Sequence, residues 1–217
     1  MSWYGAILFP RLMDLVMSGP EFQRLRQDLL QPAHGDVLEI GLGTGLNLPH
    51  YPAGVTRLRA VEPATMLPDR LTARRNAAAF PIDIIRQSAE TLPFPDRSFD
   101  CAVSTWTLCT IPDPRQALCE IRRVLKPAGQ FLFLEHGRSD DARTAVWQDR
   151  LNPIQNVIGC GCNLNRPIDR LIAGAGFVIE RLDRFVMEGT PKIVGTMYRG
   201  GAVVEERVTG PGSTPVR

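Results

Sequence analysis

The chain has 217 residues, 44% of them hydrophobic and 22% charged, with a formal net charge of +2. That is enough chain for one α/β domain with a real core, and the charge is too balanced to suggest a nucleic-acid surface. The five cysteines (Cys101, Cys109, Cys119, Cys160, Cys162) form no framework spacing and suit a reducing, cytoplasmic setting better than secretion.

Met1 to Met17 is apolar and aromatic, with Leu8, Leu12, Leu15 and Val16 on one helical face and Arg11 and Asp14 off it. Three roles stay open for it: a helix packed on the domain, a lid over a pocket, or a helix lying on a membrane surface. It does not read as a secretory signal, because a basic leader is missing and Arg11 and Asp14 interrupt the apolar run. No apolar run in the chain is long enough to span a bilayer. Residues 1–34 read as an N-terminal helical lid segment whose second helix, Glu21–Leu30, is closed by Pro32 and Gly35.

Val37-Leu38-Glu39-Ile40 reads as a buried strand running into Gly41, Gly43 and Gly45, with Thr44 and Asn47 in the same turn. Such a turn brings backbone close to a ligand where a Cβ would clash, and a helix opened after it would aim free N–H groups at the same place. The dinucleotide fingerprint needs its third glycine where Leu46 stands, so an NAD-dependent oxidoreductase is disfavoured. Leu58–Pro63 is the next strand. Its Glu62 lies about twenty residues beyond the turn, where an acid can hold ribose hydroxyls.

A helix is expected over Ala64–Ala79, then a strand over Ile82–Arg86 and a proline-studded loop, Ser88–Asp96. Phe99–Thr105 is nearly continuous in small and apolar residues, as buried parallel strands are. Pro114–Leu125 reads as a helix ended by Lys126-Pro127-Ala128-Gly129, and Gln130–Glu135 as a strand delivering Glu135 and His136 at its carboxyl edge. Thereafter a helix over Thr144–Val157, broken at Asn152-Pro153, is followed by the turn Gly159–Arg166 and a helix to Ala175. Phe177–Phe185 and Lys192–Tyr198 read as the last strands, which puts the domain at 35–199 and a flexible tail at 200–217. Strands alternating with helices imply a parallel sheet with ligands at the carboxyl ends of its strands.

The glycine turn, Glu62, Glu90-Thr91-Leu92-Pro93-Phe94, Phe99-Asp100 and Leu125–Gly129 together resemble the class I S-adenosylmethionine (SAM) methyltransferases, over about Gly35 to Tyr198. The resemblance implies a doubly wound, Rossmann-like seven-stranded α/β sheet with an antiparallel last strand, and SAM as cofactor. By it, Glu39, Gly41, Gly43, Thr44, Gly45 and Asn47 surround the amino acid half of SAM and Glu62 holds its ribose. Pro63 and Met66 border the adenine, Ser88, Ala89 and Glu90 lie along its edge, and Thr105 lies near the methionine end. Ser88 stands where an aspartate is usual, and Ala128 where a glycine is. Glu135-His136-Gly137, the Asn-Pro helix, Trp106–Cys109 and Gly161–Arg166 narrow the resemblance to the thiol S-methyltransferases and their bacterial relatives.

Methyl transfer from a sulfonium is an in-line displacement, so it needs a positioned acceptor in a dry pocket. A thiol reacts as its thiolate, which a neighbouring base favours near neutral pH. His136 is the candidate base, with a structural hydrogen bond as the plainer alternative, and Glu135 either orients it or binds backbone. Tyr4, Trp106, Cys109, Cys162 and Asn163 are candidate acceptor contacts, with Trp3 a further aromatic wall. His34 and His50 have weaker claims. Cys160 and Cys162 form a C-x-C with no second ligand pair nearby, so no metal is expected.

The function expected is S-methylation of a small thiol or sulfide, without nucleic acid and with weak membrane-surface contact left open. The rivals are methylation of a lipid amine, quinone or other apolar molecule, and a non-catalytic SAM-binding or membrane-surface protein.

Overall fold

A computed structural model describes Tyr4, residues 8–64 and residues 67–204. Trp3, Met66 and positions 205–217 of the expected tail lie outside the described residues. The order of elements is α1 (Phe9–Met17), α2 (Pro20–Leu30), β1 (Gly35–Ile40), β2 (Val55–Val61), α3 (Pro68–Asn76), β3 (Ile82–Ile85) and β4 (Phe99–Thr105). Then follow α4 (Pro114–Val124), β5 (Leu125–His136), α5 (Ala142–Ile158), α6 (Ile168–Gly174), β6 (Phe177–Val186), α7 (Lys192–Gly195) and β7 (Thr196–Val204).

The strands form one sheet in the order β3-β2-β1-β4-β5-β7-β6. β1 to β5 are parallel, and β7 runs antiparallel between β5 and β6. Strand residues alternate between two cores, as a period of two requires. Val37, Cys101, Val103, Leu132 and Leu134 pack with Leu25, Leu29 and Leu30 of α2. Leu38, Ile40, Ala102, Phe131 and Phe133 pack with Leu118 and Ile121 of α4 and Ile168 and Ile172 of α6. Strand order reverses between β1 and β4, the place where an open α/β sheet leaves a crevice at its carboxyl edge.

Several boundaries differ from the sequence expectations. The glycine turn opens no α-helix; it passes through one 3-10 turn, Leu48–His50, because Pro52 holds Tyr51 extended. α3 begins only at Pro68. α5 continues through Asn152-Pro153, losing one backbone bond instead of breaking. Lys192–Gly195 is a single helical turn, and the last strand starts at Thr196 and reaches Val204. Its Gly200-Gly201 looks like a tail but is strand. A Cβ on Gly200 would lie 2.2 Å from the Arg181 carbonyl oxygen and 2.6 Å from Phe133, so only glycine allows the strands to meet.

α1 turns Phe9, Pro10, Met13, Asp14 and Met17 toward the cavity described below. The face expected to pack, Leu8, Leu12, Leu15 and Val16, is instead exposed. α2 belongs to the core through Leu25, Leu29 and Leu30, so the first 34 residues are not one lid.

Candidate active site

A cavity of about 930 Å3 opens at the carboxyl ends of β1, β2, β4 and β5. At one end stands the glycine turn. Gly43, with φ +58°, has nothing within 4 Å of where a Cβ would sit, whereas a Cβ on Gly41 would lie 2.2 Å from Thr107 Oγ1. Gly43 therefore leaves ligand space and Gly41 makes room for a neighbouring loop.

Glu39 is fully buried beneath this turn and accepts hydrogen bonds from Asn47 Nδ2 (2.8 Å) and Tyr51 Oη (2.8 Å). Burial pushes its carboxyl up to about 7, against the lowering effect of those two donors. Asn47 Nδ2 also reaches Thr105 Oγ1 (2.9 Å), tying β1 to β4, and its Oδ1 is buried without a partner. Glu62 follows β2 directly and accepts from Gly43 N (2.9 Å) and Ala64 N (3.0 Å); burial raises its pKa.

α1 is fastened to the same turn. Asp14, buried, accepts from Thr44 Oγ1 (2.5 Å) and Arg74 Nη1 (2.7 Å) and pairs with Arg70. Burial alone would raise its carboxyl, but the bonds from Arg74, Thr44 and Arg70 prevail and hold it at about 2. Beside it Arg26 of α2 is buried on the cavity wall, 4.7 Å from the Trp106 ring centroid, with its Nε unpartnered. Burial lowers the Arg26 pKa to about 10.

A second part of the wall is built on the turn after β4. Trp106 adopts φ +50°, a left-handed conformation costing roughly 1–2 kcal/mol in a residue with a Cβ. Glu135 holds that turn. Its buried carboxylate accepts from Ser104 Oγ (2.5 Å), Thr107 N (3.1 Å) and Cys109 N (3.3 Å). Burial raises it to about 7 in spite of these bonds. His136, the next residue along β5, points the opposite way, into the cavity wall. Its Nδ1 lies 3.6 Å from Cys162 Sγ, which lies 3.7 Å from Cys109 Sγ. The thiol of Cys162 is held well down by Cys109 and by His136, while Cys109 is held up by Cys162 and by burial.

Residues 38–133 match a family model described as a methyltransferase domain. The human thiol S-methyltransferase TMT1B is 32% identical over 190 residues, 81% of this chain and 78% of that protein. The chain belongs to the SAM-dependent methyltransferases. The rat TMT1B is 34% identical over 151 residues, and there the chain spans 62% of the relative's length. A phosphatidylethanolamine N-methyltransferase of Cereibacter sphaeroides is 29% identical over 76% of this chain and 77% of its own. In fold, a SAM-dependent methyltransferase from Aquifex aeolicus superposes with a TM-score of 0.61 at 16% identity, covering 90% of this chain and 98% of that one.

The residues of this methyltransferase fit its methyl donor, SAM. The open side of Gly43, the Glu62 carboxylate and the unpartnered Arg26 Nε and Asn47 Oδ1 offer a backbone cradle, an acceptor for hydroxyls, a cation and a spare acceptor on one wall. Of the expected donor contacts, Glu39, Gly41, Gly43, Thr44, Asn47, Glu62, Pro63, Ser88, Ala89 and Thr105 line the cavity. Gly45 does not, its α-carbon facing Leu48 and Leu71. Glu90 also turns away, accepting from Ser88 Oγ (2.6 Å) and Asp113 N (2.7 Å).

Of the expected catalytic and acceptor contacts, His136, Trp106, Cys109 and Cys162 reach the cavity. Glu135 does not touch His136 but binds Ser104 and loop backbone. Tyr4 lies outside the cavity lining, its hydroxyl donating to the Ile158 carbonyl (2.7 Å). Asn163 is a clamp, its backbone N and its Nδ2 both donating to the Cys109 carbonyl at 2.9 Å. Asp14 and Arg26 went unrecognised from the sequence. Their signal was positional, a charge on the buried stripe of each helix: Asp14 four residues after Pro10, Arg26 four after Phe22 and three before Leu29.

Proposed function

We propose that this methyltransferase methylates the sulfur of a small, largely apolar thiol. The observation that carries the reading is the pair His136 and Cys162, 3.6 Å apart, on a cavity also lined by Met17, Trp106, Ile111, Met187 and Met197. Bound SAM supplies an electrophilic methyl group on a sulfonium. Gly43, Glu62 and Arg26 would hold the donor, and α1, fastened through Asp14, would close over it. The apolar walls keep water from the acceptor's sulfur. The cluster of imidazole and thiols favours an anionic sulfur, which forms near neutral pH; an alkylammonium holds its proton to far higher pH. The relatives whose names specify thiol S-methylation support the same acceptor.

A second reading is favoured by the outward stripe Leu8, Leu12, Leu15 and Val16 and by Ile154, Val157 and Ile158 of α5, all exposed. The Tyr4–Ile158 bond joins the two surfaces. Together they suit a lipid surface, and with it a lipid amine as acceptor. Methyl-labelled SAM, offered with thiols, amines, quinols and phosphatidylethanolamine vesicles, separates the two. Label on thiols alone supports S-methylation, and label on the lipid alone replaces it with the second reading.

A further inference from the structure

Three segments far apart in the sequence meet on the cavity wall. The turn after β4 brings Cys109, the end of β5 brings His136, and the turn after α5 brings Cys162. That last turn reverses through Cys160 (φ +49°) and Gly161 (φ +102°), so the two cysteines of the C-x-C part company. Cys160 is exposed, while Cys162 turns inward toward partners 53 and 26 residues earlier. The sulfurs of Cys109 and Cys162 and one ring nitrogen of His136 all lie within 4.8 Å of one another.

The spacing fits a tetrahedral metal. With Zn–S about 2.3 Å and Zn–N about 2.05 Å, tetrahedral angles put two sulfurs about 3.8 Å apart and a sulfur about 3.6 Å from a nitrogen. The Cys109–Cys162 and Cys162–His136 separations here are 3.7 Å and 3.6 Å, and the third, from Cys109 to the ring nitrogen, is within 4.8 Å. The set is also held in place before any ion arrives. Asn163 ties the Cys162 turn to the Cys109 carbonyl by two bonds, and Asn152 of α5 receives Leu164 N at 2.7 Å. Glu135 fixes the Cys109 amide from the other side. Two thiolates and an imidazole are the donors a borderline-soft cation selects, and three protein ligands leave one position open.

We propose that Cys109, His136 and Cys162 hold a zinc ion whose fourth position opens on the cavity and takes the acceptor's sulfur. Zinc binding is a property of these three side chains; the identity of the fourth ligand rests on the reading of the acceptor as a thiol. On binding, the thiol gives its proton to solvent and becomes a zinc-bound thiolate. The sulfur's lone pair then attacks the methyl carbon, the new S–C bond forms as the sulfonium C–S bond breaks, and the products are a methyl thioether and S-adenosylhomocysteine. His136 serves as ligand, and the metal takes over the task of a base.

The full-length chain, reduced and stripped of metal, is titrated with Co2+ and read by absorption. The expected result is one equivalent bound, with the intense visible bands of tetrahedral cobalt and a thiolate-to-cobalt charge-transfer band in the near ultraviolet. Cys162→Ser and Cys109→Ser should each abolish that spectrum, and Cys160→Ser and Cys119→Ser, at exposed positions, should leave it unchanged. Because Cys109 is buried and its variant can misfold, the half-buried Cys162 carries the test, with circular dichroism to verify its fold. A small aromatic thiol added to the cobalt form should raise the charge-transfer intensity by roughly half, as a third sulfur joins two.

A folded, reduced chain that gives no tetrahedral spectrum, or gives it equally in Cys162→Ser, overturns the metal site. Full-rate thiol methylation by the metal-free chain overturns the metal's role and leaves S-methylation standing. A cobalt spectrum that no thiol perturbs, with label passing only to lipid, overturns the fourth-position assignment and the S-methylation reading while leaving the metal site.

Discussion

Asp14 of α1 accepts a hydrogen bond from Thr44 Oγ1 in the glycine turn at 2.5 Å, so the N-terminal helix is fastened to the loop that would cradle the donor. Arg74 strengthens the junction by donating to both Asp14 Oδ1 and the Thr44 carbonyl at 2.7 Å. Asp14→Ala should free α1 and loosen the turn together. SAM affinity is expected to fall about tenfold, and stability by roughly 1–3 kcal/mol, the usual loss when a buried hydrogen-bonded charge is deleted. Calorimetry and thermal denaturation measure both; an unchanged SAM affinity would detach α1 from donor binding.

The two ends of the glycine turn predict different failures. Gly43→Val places its branches in open cavity space and should reduce SAM affinity more than tenfold, with a modest loss of stability from the left-handed backbone. Gly41→Ala drives a methyl into Thr107 and should destabilise the fold first. The ratio of binding loss to melting shift in each variant distinguishes ligand space from packing space.

Glu39 makes the stability of the cofactor-free chain pH-dependent. Its carboxyl is pushed up to about 7 from an ordinary value near 4.5, so the folded state keeps a proton that the unfolded chain has lost. Its contribution is complete below about pH 4.5 and is lost as pH rises to 7, by about 3 kcal/mol at most. Glu39→Gln, neutral at every pH, should flatten that part of the profile and be the more stable form at pH 8. A melting profile of the variant parallel to the parent's would refute the assignment.

His136→Gln removes the imidazole that favours an anionic acceptor sulfur, as base or as metal ligand, and should lower turnover by roughly a hundredfold or more while leaving SAM affinity nearly unchanged. The reason is contact: His136 meets Cys162, whereas the expected donor contacts Gly43 and Glu62 bond each other, Gly43 N to the Glu62 carboxylate at 2.9 Å. Labelled-methyl turnover and SAM calorimetry on the same preparation test it, and a parallel loss of both would make His136 a structural group.

The sheet was legible because parallel strands buried on both faces are apolar runs and their carboxyl ends carry the polar residues. The glycine turn, Glu62 and His136 were legible for the same reason. What the residues concealed was tertiary. Pro52 cancelled a helix after the turn, and Gly200, the first of a Gly-Gly pair that resembles a tail, was needed for strand contact in β7. Asp14 looked like an interruption of an apolar helix and is instead its anchor. The C-x-C spacing hid the Cys109–Cys162–His136 cluster, because a left-handed turn separates the two adjacent cysteines and long-range folding supplies the partners.

The central claim is that one cavity holds the donor against Gly43 and Glu62 and the acceptor's sulfur against His136 and Cys162. The direct measurement is a crystal structure of the chain with S-adenosylhomocysteine and a small aromatic thiol. The expected result is the ribose hydroxyls on Glu62 and the thiol's sulfur beside the Cys109–His136–Cys162 cluster, on the line extended from the donor sulfur. A thiol bound elsewhere, or a donor seated away from the glycine turn, would contradict it.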